Sequence, residues 1–127
     1  FAVDLGVKYK GFNAYLEVYG RKLSHIAADG PVPISTLKDY GYALQLSHMI
    51  IPRKLCLYAI NSFFWDEFKR HPWEAGGGVN IYPLKNRSWR LNAQAMRVYK
   101  SAAGGTFGLY KEGQTGTTIT IGTDIIL

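Results

Sequence analysis

The sequence predicts an all-β chain, an antiparallel transmembrane β-barrel of strands in series, and three observations carry that expectation. Apolar and polar residues alternate with period two through most of the 127 residues, as strands with one apolar face require. Fourteen glycines and 14% aromatics stand beside only 19% charged residues, a balance that favours strands and tight turns over surface helices. Turn signals then divide the chain into about seven segments whose connections run short, long, short, medium, short, long. One domain accommodates this length.

The first segment, 1–10, sets Phe1, Val3, Leu5, Val7 and Tyr9 against Ala2, Asp4, Gly6, Lys8 and Lys10. A tight turn near Gly11 leads into Phe12, Ala14, Leu16 and Val18 against Asn13, Tyr15, Glu17, Tyr19 and Arg21, so the two should form a hairpin. Residues 25–39, with Gly30, Pro31 and Pro33, read as a long loop. Alternation resumes at Tyr40, Tyr42, Leu44 and Leu46 and stops at the turn Ile51-Pro52-Arg53-Lys54. A strand over about 55–64 follows, then a charged loop from Trp65 to Pro72. Trp73, Ala75, Gly77, Val79 and Ile81 form the next apolar row, a short turn spans Pro83 to Arg87, and Trp89, Leu91, Ala93 and Ala95 return. A Gly- and Ala-rich loop occupies roughly 101–114, and the last strand runs from Thr117 to Leu127.

Period alone does not separate a soluble barrel, with its apolar face inward, from a membrane barrel, with that face outward. The loading of the faces favours the second. Lys8, Lys10, Glu17, Arg21, Gln45, Glu74, Arg90 and Gln94 share the polar face, while the apolar face is nearly free of charge. A charge in mid-bilayer costs about 2–4 kcal/mol, so a lipid-facing surface requires this. Phe1, Tyr9, Tyr40, Phe64, Trp65, Trp73, Trp89 and Tyr110 fall near strand ends, where interfacial girdles or ordinary hydrophobic anchors would stand. No apolar run approaches the roughly 20 residues of a membrane-spanning helix. Near-neutral mean hydropathy is compatible with strands that are apolar only at alternate positions.

The formal charge of +6 suits nucleic acid, an anionic surface or an anion-conducting interior. Nucleic acid would require cations interleaved with exposed aromatics on one surface; the strands offer no such platform, and no nucleic-acid partner is expected. The single cysteine, Cys56, has no partner for a disulfide or a CxxC motif and reads as a small apolar side chain. The chain opens directly in alternation, without a signal pattern, and single-chain bacterial barrels have even strand numbers. The expectation is therefore that residues 1–127 are the C-terminal portion of one outer-membrane barrel domain, with further strands upstream.

The stretches VKYKGFNAYLEVYGRKL, GPVPISTLKDYGYALQLSHMIIPRKLCLYA, EAGGGVNIYPLKNRSWRLNAQAMRV and GQTGTTITIG resemble the C-terminal half of the phosphate-selective porin O and P family, in its planctomycete-type variety. The resemblance implies a barrel of about 16 strands in the bacterial outer membrane, assembled as a homo-trimer. It also implies passive passage of small hydrophilic solutes, in some members of anions such as phosphate. Two departures bear on selectivity: the positions of Cys56 and Ile60, charged and lumen-facing in many relatives, are neutral here. The usual terminal aromatic is replaced by Leu127.

On this reading the pore-lining candidates are Lys8, Lys10, Glu17, Arg21, Glu74 and Arg90, with Lys100 and Arg97 as further cations. Positive ladders lower the barrier to anions; alternatively these cations offset Asp4, Glu17 and Glu74. No catalytic residue, metal site or cofactor is expected. Gly76-Gly77-Gly78 lacks the lysine-serine ending of a phosphate loop and suits a close-packed or bent strand. His25, His48 and His71 lack ligand spacing, Asp66 and Glu67 read as solvated loop charges beside Lys69 and Arg70, and Asn86-Arg87-Ser88 sits in a turn. Two rival functions share the strand pattern: a soluble carrier barrel of the lipocalin or fatty-acid-binding type, and an outer-membrane anchor with a plugged lumen.

Overall fold

Three short turns set the register of the sheet. Lys10 and Gly11 both have positive φ (44° and 82°) and join residues 9 and 12 directly, the two-residue turn whose twist matches a β-hairpin. At the second, Lys54 N–H donates to the Ile51 carbonyl at 3.0 Å, with Pro52 in the second position and Arg53 at φ 60° in the third, as a type II turn requires. At the third, Pro83 again holds the second position and Lys85 N–H donates to the Tyr82 carbonyl at 3.1 Å.

In this computed structural model, which describes residues 1–26, 30, 36–69, 71–101 and 113–126, these turns join seven strands in one antiparallel sheet. The strands are β1 (Ala2–Tyr9), β2 (Phe12–Ser24), β3 (Thr36–Ile51), β4 (Leu55–Trp65), β5 (Trp73–Ile81), β6 (Trp89–Tyr99) and β7 (Gly116–Ile125). They stand side by side in chain order, and the sheet is open because β1 and β7 each pair on one edge only. There is no helix among the described residues.

The register carries the alternation of each strand into rows across the whole sheet. One face collects Leu5, Leu16 and Leu44, then Val7, Ala14, Leu46, Ala59, Gly77, Ala95 and Ile119 in consecutive rows. The opposite face collects Asp4, Glu17, Ala43, Ser62 and Glu74, then Lys8, Asn13, Ser47, Tyr58, Gly78, Gln94 and Thr120. Burial runs against the usual order for a protein in water. Ile119 and Ile121 on the apolar face are 78% and 83% exposed, while Asp39 on the polar face is 3% exposed. The bias is clearest in β4 and β6, where Cys56 and Val98 on the polar face are buried while Leu57 and Leu91 on the apolar face are exposed.

Three positions on the polar face need glycine, and at one of them, Gly76, a Cβ would run into the Ala95 carbonyl oxygen and the Met96 side chain. A Cβ on Gly41 would lie 2.6 Å from the Tyr19 ring, and one on Gly78 would lie 2.6 Å from the Tyr58 hydroxyl and run into the Ala93 carbonyl oxygen. Each tyrosine thus lies across a bare backbone on the neighbouring strand. The Gly76-Gly77-Gly78 run is accordingly the close-packed centre of β5.

Two of the boundaries that differ from the sequence reading bear on the polar face. Residues 36–39 belong to β3 and not to the long loop, because pairing continues through Ser24↔Thr36, Leu23↔Leu37, Lys22↔Lys38 and Arg21↔Asp39 after the apolar stripe has ended. β1 stops at Tyr9, which leaves Lys10 in the turn. The Gly- and Ala-rich loop lies mostly outside the described residues, as do Tyr110, Arg70 and Leu127.

Candidate functional site

The polar face holds a hollow of about 810 Å³ that runs from β2 to β6 near the long-loop ends of the strands. Tyr19, Asp39, Ser62, Phe64, Glu74 and Val98 are among the residues that line it, and the Tyr19 and Phe64 rings meet at 6.3 Å. Phe64, placed with the girdle aromatics by its position at a strand end, therefore points to the polar side. Asp66, read as a solvated loop charge, is buried and lines the same hollow.

Five of the six pore-lining candidates share this face: Lys8, Glu17, Arg21, Glu74 and Arg90 all fall in its rows. Lys10 does not. Its left-handed turn conformation takes it out of the alternation, and its ammonium lies 5.3 Å from the centroid of the Tyr9 ring, on the apolar side. Arg97 is also on the apolar face, where its Nη1 donates to Thr117 Oγ1 at 3.1 Å, and Lys100 follows the end of β6.

The register also supplies partners that the sequence reading did not single out. Arg21 Nε donates to Asp39 Oδ2 at 3.0 Å, and Arg90 Nε donates to Asp124 Oδ2 at 2.9 Å. Both carboxylates stand in rows of the polar face, so within the strands that face carries three cations, Lys8, Arg21 and Arg90, and five carboxylates, Asp4, Glu17, Asp39, Glu74 and Asp124. Two of the three cations are ion-paired. Asp4 lies directly opposite Glu17, an arrangement that disfavours folding where nothing screens it. Ser62 Oγ donates to Glu74 Oε1 at 3.0 Å. Cys56 and Ile60 occupy the same face in neutral positions, Ile60 one row from the row of Asp4, Glu17 and Glu74 and Cys56 three rows from it.

Below the hollow lies a fixed polar network. The Tyr58 hydroxyl donates to Gln94 Oε1 at 2.8 Å and accepts from Asn92 Nδ2 at 2.8 Å, and Asn92 Nδ2 also reaches Asn80 Oδ1 at 2.9 Å. Tyr58 thereby ties β4 to β6 over the bare backbone of β5. Tyr58→Phe removes a donor and an acceptor together and is expected to cost about 1–2 kcal/mol, read as a lower denaturation midpoint at unchanged slope.

The apolar face is bounded by two aromatic belts. At the long-loop end, Tyr42, Phe63, Trp65, Trp73 and Tyr99 form a line across β3 to β6, with Phe63 and Trp65 at 4.4 Å and Trp73 and Tyr99 at 5.8 Å. Tyr9, Phe12 and Trp89 mark the short-turn end, where the Trp89 indole donates to Thr123 Oγ1 at 3.0 Å. His48 lies on this face directly opposite Phe12 and His71 stacks on Phe63, and among the described residues neither joins a ligand cluster. Asn86 uses its side chain to accept from Ser88 N–H within its own turn. No family model, curated protein or solved structure matches this chain.

Proposed function

We propose that this sheet is an arc of the wall of an outer-membrane porin, a water-filled barrel through which small hydrophilic solutes diffuse passively. One observation carries the reading: through β3, β4, β6 and β7 the apolar face is on the whole the more exposed and the polar face the more sheltered. In water that arrangement leaves a broad apolar surface open, whereas lipid outside and solvent inside satisfy both sides. A carrier barrel of the lipocalin type needs the reverse, an apolar interior.

The belts support the same placement. Trp89 and Tyr99 bound β6, and their separation along a strand of this length is about 34 Å, or about 26 Å across a bilayer at a tilt near 40°, close to the apolar band of membrane barrels. Arg97 lies two residues from Tyr99, near enough for its long side chain to reach the interfacial level. Strand direction supports a larger closed barrel. In an antiparallel series of seven, β1 and β7 run the same way, so antiparallel closure takes an odd number of further strands. Assembly as a trimer would follow the resemblance.

For the solute, the wall charges favour a different preference from the anion selectivity implied by the resemblance. Five carboxylates face three cations, and Asp4, Glu17 and Glu74 share one row. In planar bilayers under a salt gradient, the full polypeptide containing this chain is expected to show stepwise conductance with a reversal potential on the cation side. Glu17→Gln with Glu74→Gln should move that potential toward the anion side. Membrane insertion without conductance would favour the plugged anchor, and a species soluble without detergent the carrier.

A further inference from the structure

The five cations of the three short turns, Lys10, Arg53, Lys54, Lys85 and Arg87, are all exposed, and the turns contain no carboxylate. The opposite end of the sheet is mixed in charge, with Asp39, Asp66 and Glu67 among Lys38, Lys69 and Lys100. Backbone bonds join the short-turn end into one rim. Met49 N–H donates to the Gly11 carbonyl, Tyr82 N–H to the Lys54 carbonyl and Ile126 N–H to the Ser88 carbonyl, each at 2.9 Å. The second of these sets Arg53 and Lys54 beside the turn that carries Lys85 and Arg87.

Two further features mark this rim. Each short turn puts a basic residue in the left-handed region, Lys10 at φ 44°, Arg53 at 60° and Lys85 at 56°, where asparagine or glycine would sit with less strain. Exposed apolar side chains alternate with the cations: Tyr9, Phe12, Ile51, Leu84 and Ile126. Cations beside apolar anchors, at the edge of an exposed apolar surface, make the pattern of a segment lodged at a charged lipid interface.

We infer that the short-turn rim is a docking surface for anionic phospholipid headgroups, with the cations on lipid phosphates and the apolar anchors among the upper acyl carbons. The inference rests on the membrane placement proposed above. Each cation near an anionic leaflet strengthens the attraction roughly fivefold, so a rim of this kind enriches anionic lipid strongly around itself.

The test uses the full polypeptide in vesicles of phosphatidylcholine with a minor fraction of phosphatidylglycerol, carrying an apolar fluorophore at Leu84→Cys in a Cys56→Ala background. Brominated phosphatidylglycerol should quench the label several-fold better than brominated phosphatidylcholine at equal mole fraction. Raising the salt should reduce the difference. A label at Glu67→Cys, at the other end, should show parity. The variant Lys10→Asn, Arg53→Asn, Lys85→Asn removes three charges while relieving three left-handed backbones, so it should fold at least as well and bring the Leu84 label to parity. Parity in the unsubstituted protein, or a preference that survives the triple substitution, overturns the inference. Parity with retention on a polyanion column that the triple substitution abolishes would also overturn it, assigning the rim to a soluble polyanion. If neither brominated lipid quenches the label, the membrane placement itself fails.

Discussion

Arginine at Leu46 is expected to destabilise the protein in lipid vesicles by about 2–4 kcal/mol, whereas arginine at Gln45, one residue away, should cost less than about 0.5 kcal/mol. Leu46, itself half-buried, stands in the row Ala14, Leu46, Ala59, Gly77, Ala95, between the two aromatic belts and on the apolar face. Gln45 is exposed on the polar side, in the row with Tyr15 and Ile60. Depth makes the test specific. At Leu55, beside the short turn and opposite Ile81, arginine should cost only about 0–1 kcal/mol, since a charge near the interface stays hydrated. A soluble core would penalise Leu46→Arg without that dependence on height, and a water-facing surface would not penalise it at all. The measurement is the unfolding free energy of the three variants in one lipid. Equal costs at Leu46 and Leu55 would remove lipid from the apolar face.

The two faces were legible in the sequence because side-chain period is a backbone property: once a segment is extended, alternate residues must diverge. The short turns were legible for a related reason, since Pro52, Pro83 and Gly11 restrict the chain locally. What the sequence hid depends on register. Arg21 and Asp39 are 18 residues apart and meet only because β2 and β3 pair far beyond their apolar stripe. The reading that ended the strand with the stripe put Asp39 in a loop and missed its role, although Asp39, Gly41 and Ala43 already alternate. Arg90 and Asp124 are separated by 34 residues and needed the β6–β7 register in the same way. Lys10 failed for the opposite reason: alternation was carried one residue too far, into a turn where it has no meaning. The net positive charge of the chain thus proves a poor guide to the polar face, because much of it lies in turns and the strands carry more carboxylates than cations on that face.

Gly78→Val should be among the most damaging single changes on the polar face, at about 4 kcal/mol, combining overpacking with loss of the Tyr58 hydrogen bonds. The site has no room to yield. A new Cβ would press on the Tyr58 hydroxyl, which is held by Gln94 and Asn92, and on the Ala93 carbonyl, which belongs to the paired strand itself. A side chain can rotate away, but a backbone carbonyl in a ladder cannot move without breaking its neighbours' bonds. Tyr58→Ala should therefore rescue Gly78→Val only in part, leaving the backbone collision in place. Gly122→Val is the matched control. It lies on the same face, in the row of Asn92, with nothing within 4 Å of a Cβ among the described residues, and valine suits a strand better than glycine. It should change stability by no more than about 0.5 kcal/mol, or raise it. Full rescue of Gly78→Val by Tyr58→Ala would show that the tyrosine alone required the glycine. Equal tolerance at both glycines would show that the polar face is looser than this packing, and that its hydrogen-bonded tyrosine does not hold the sheet in shape.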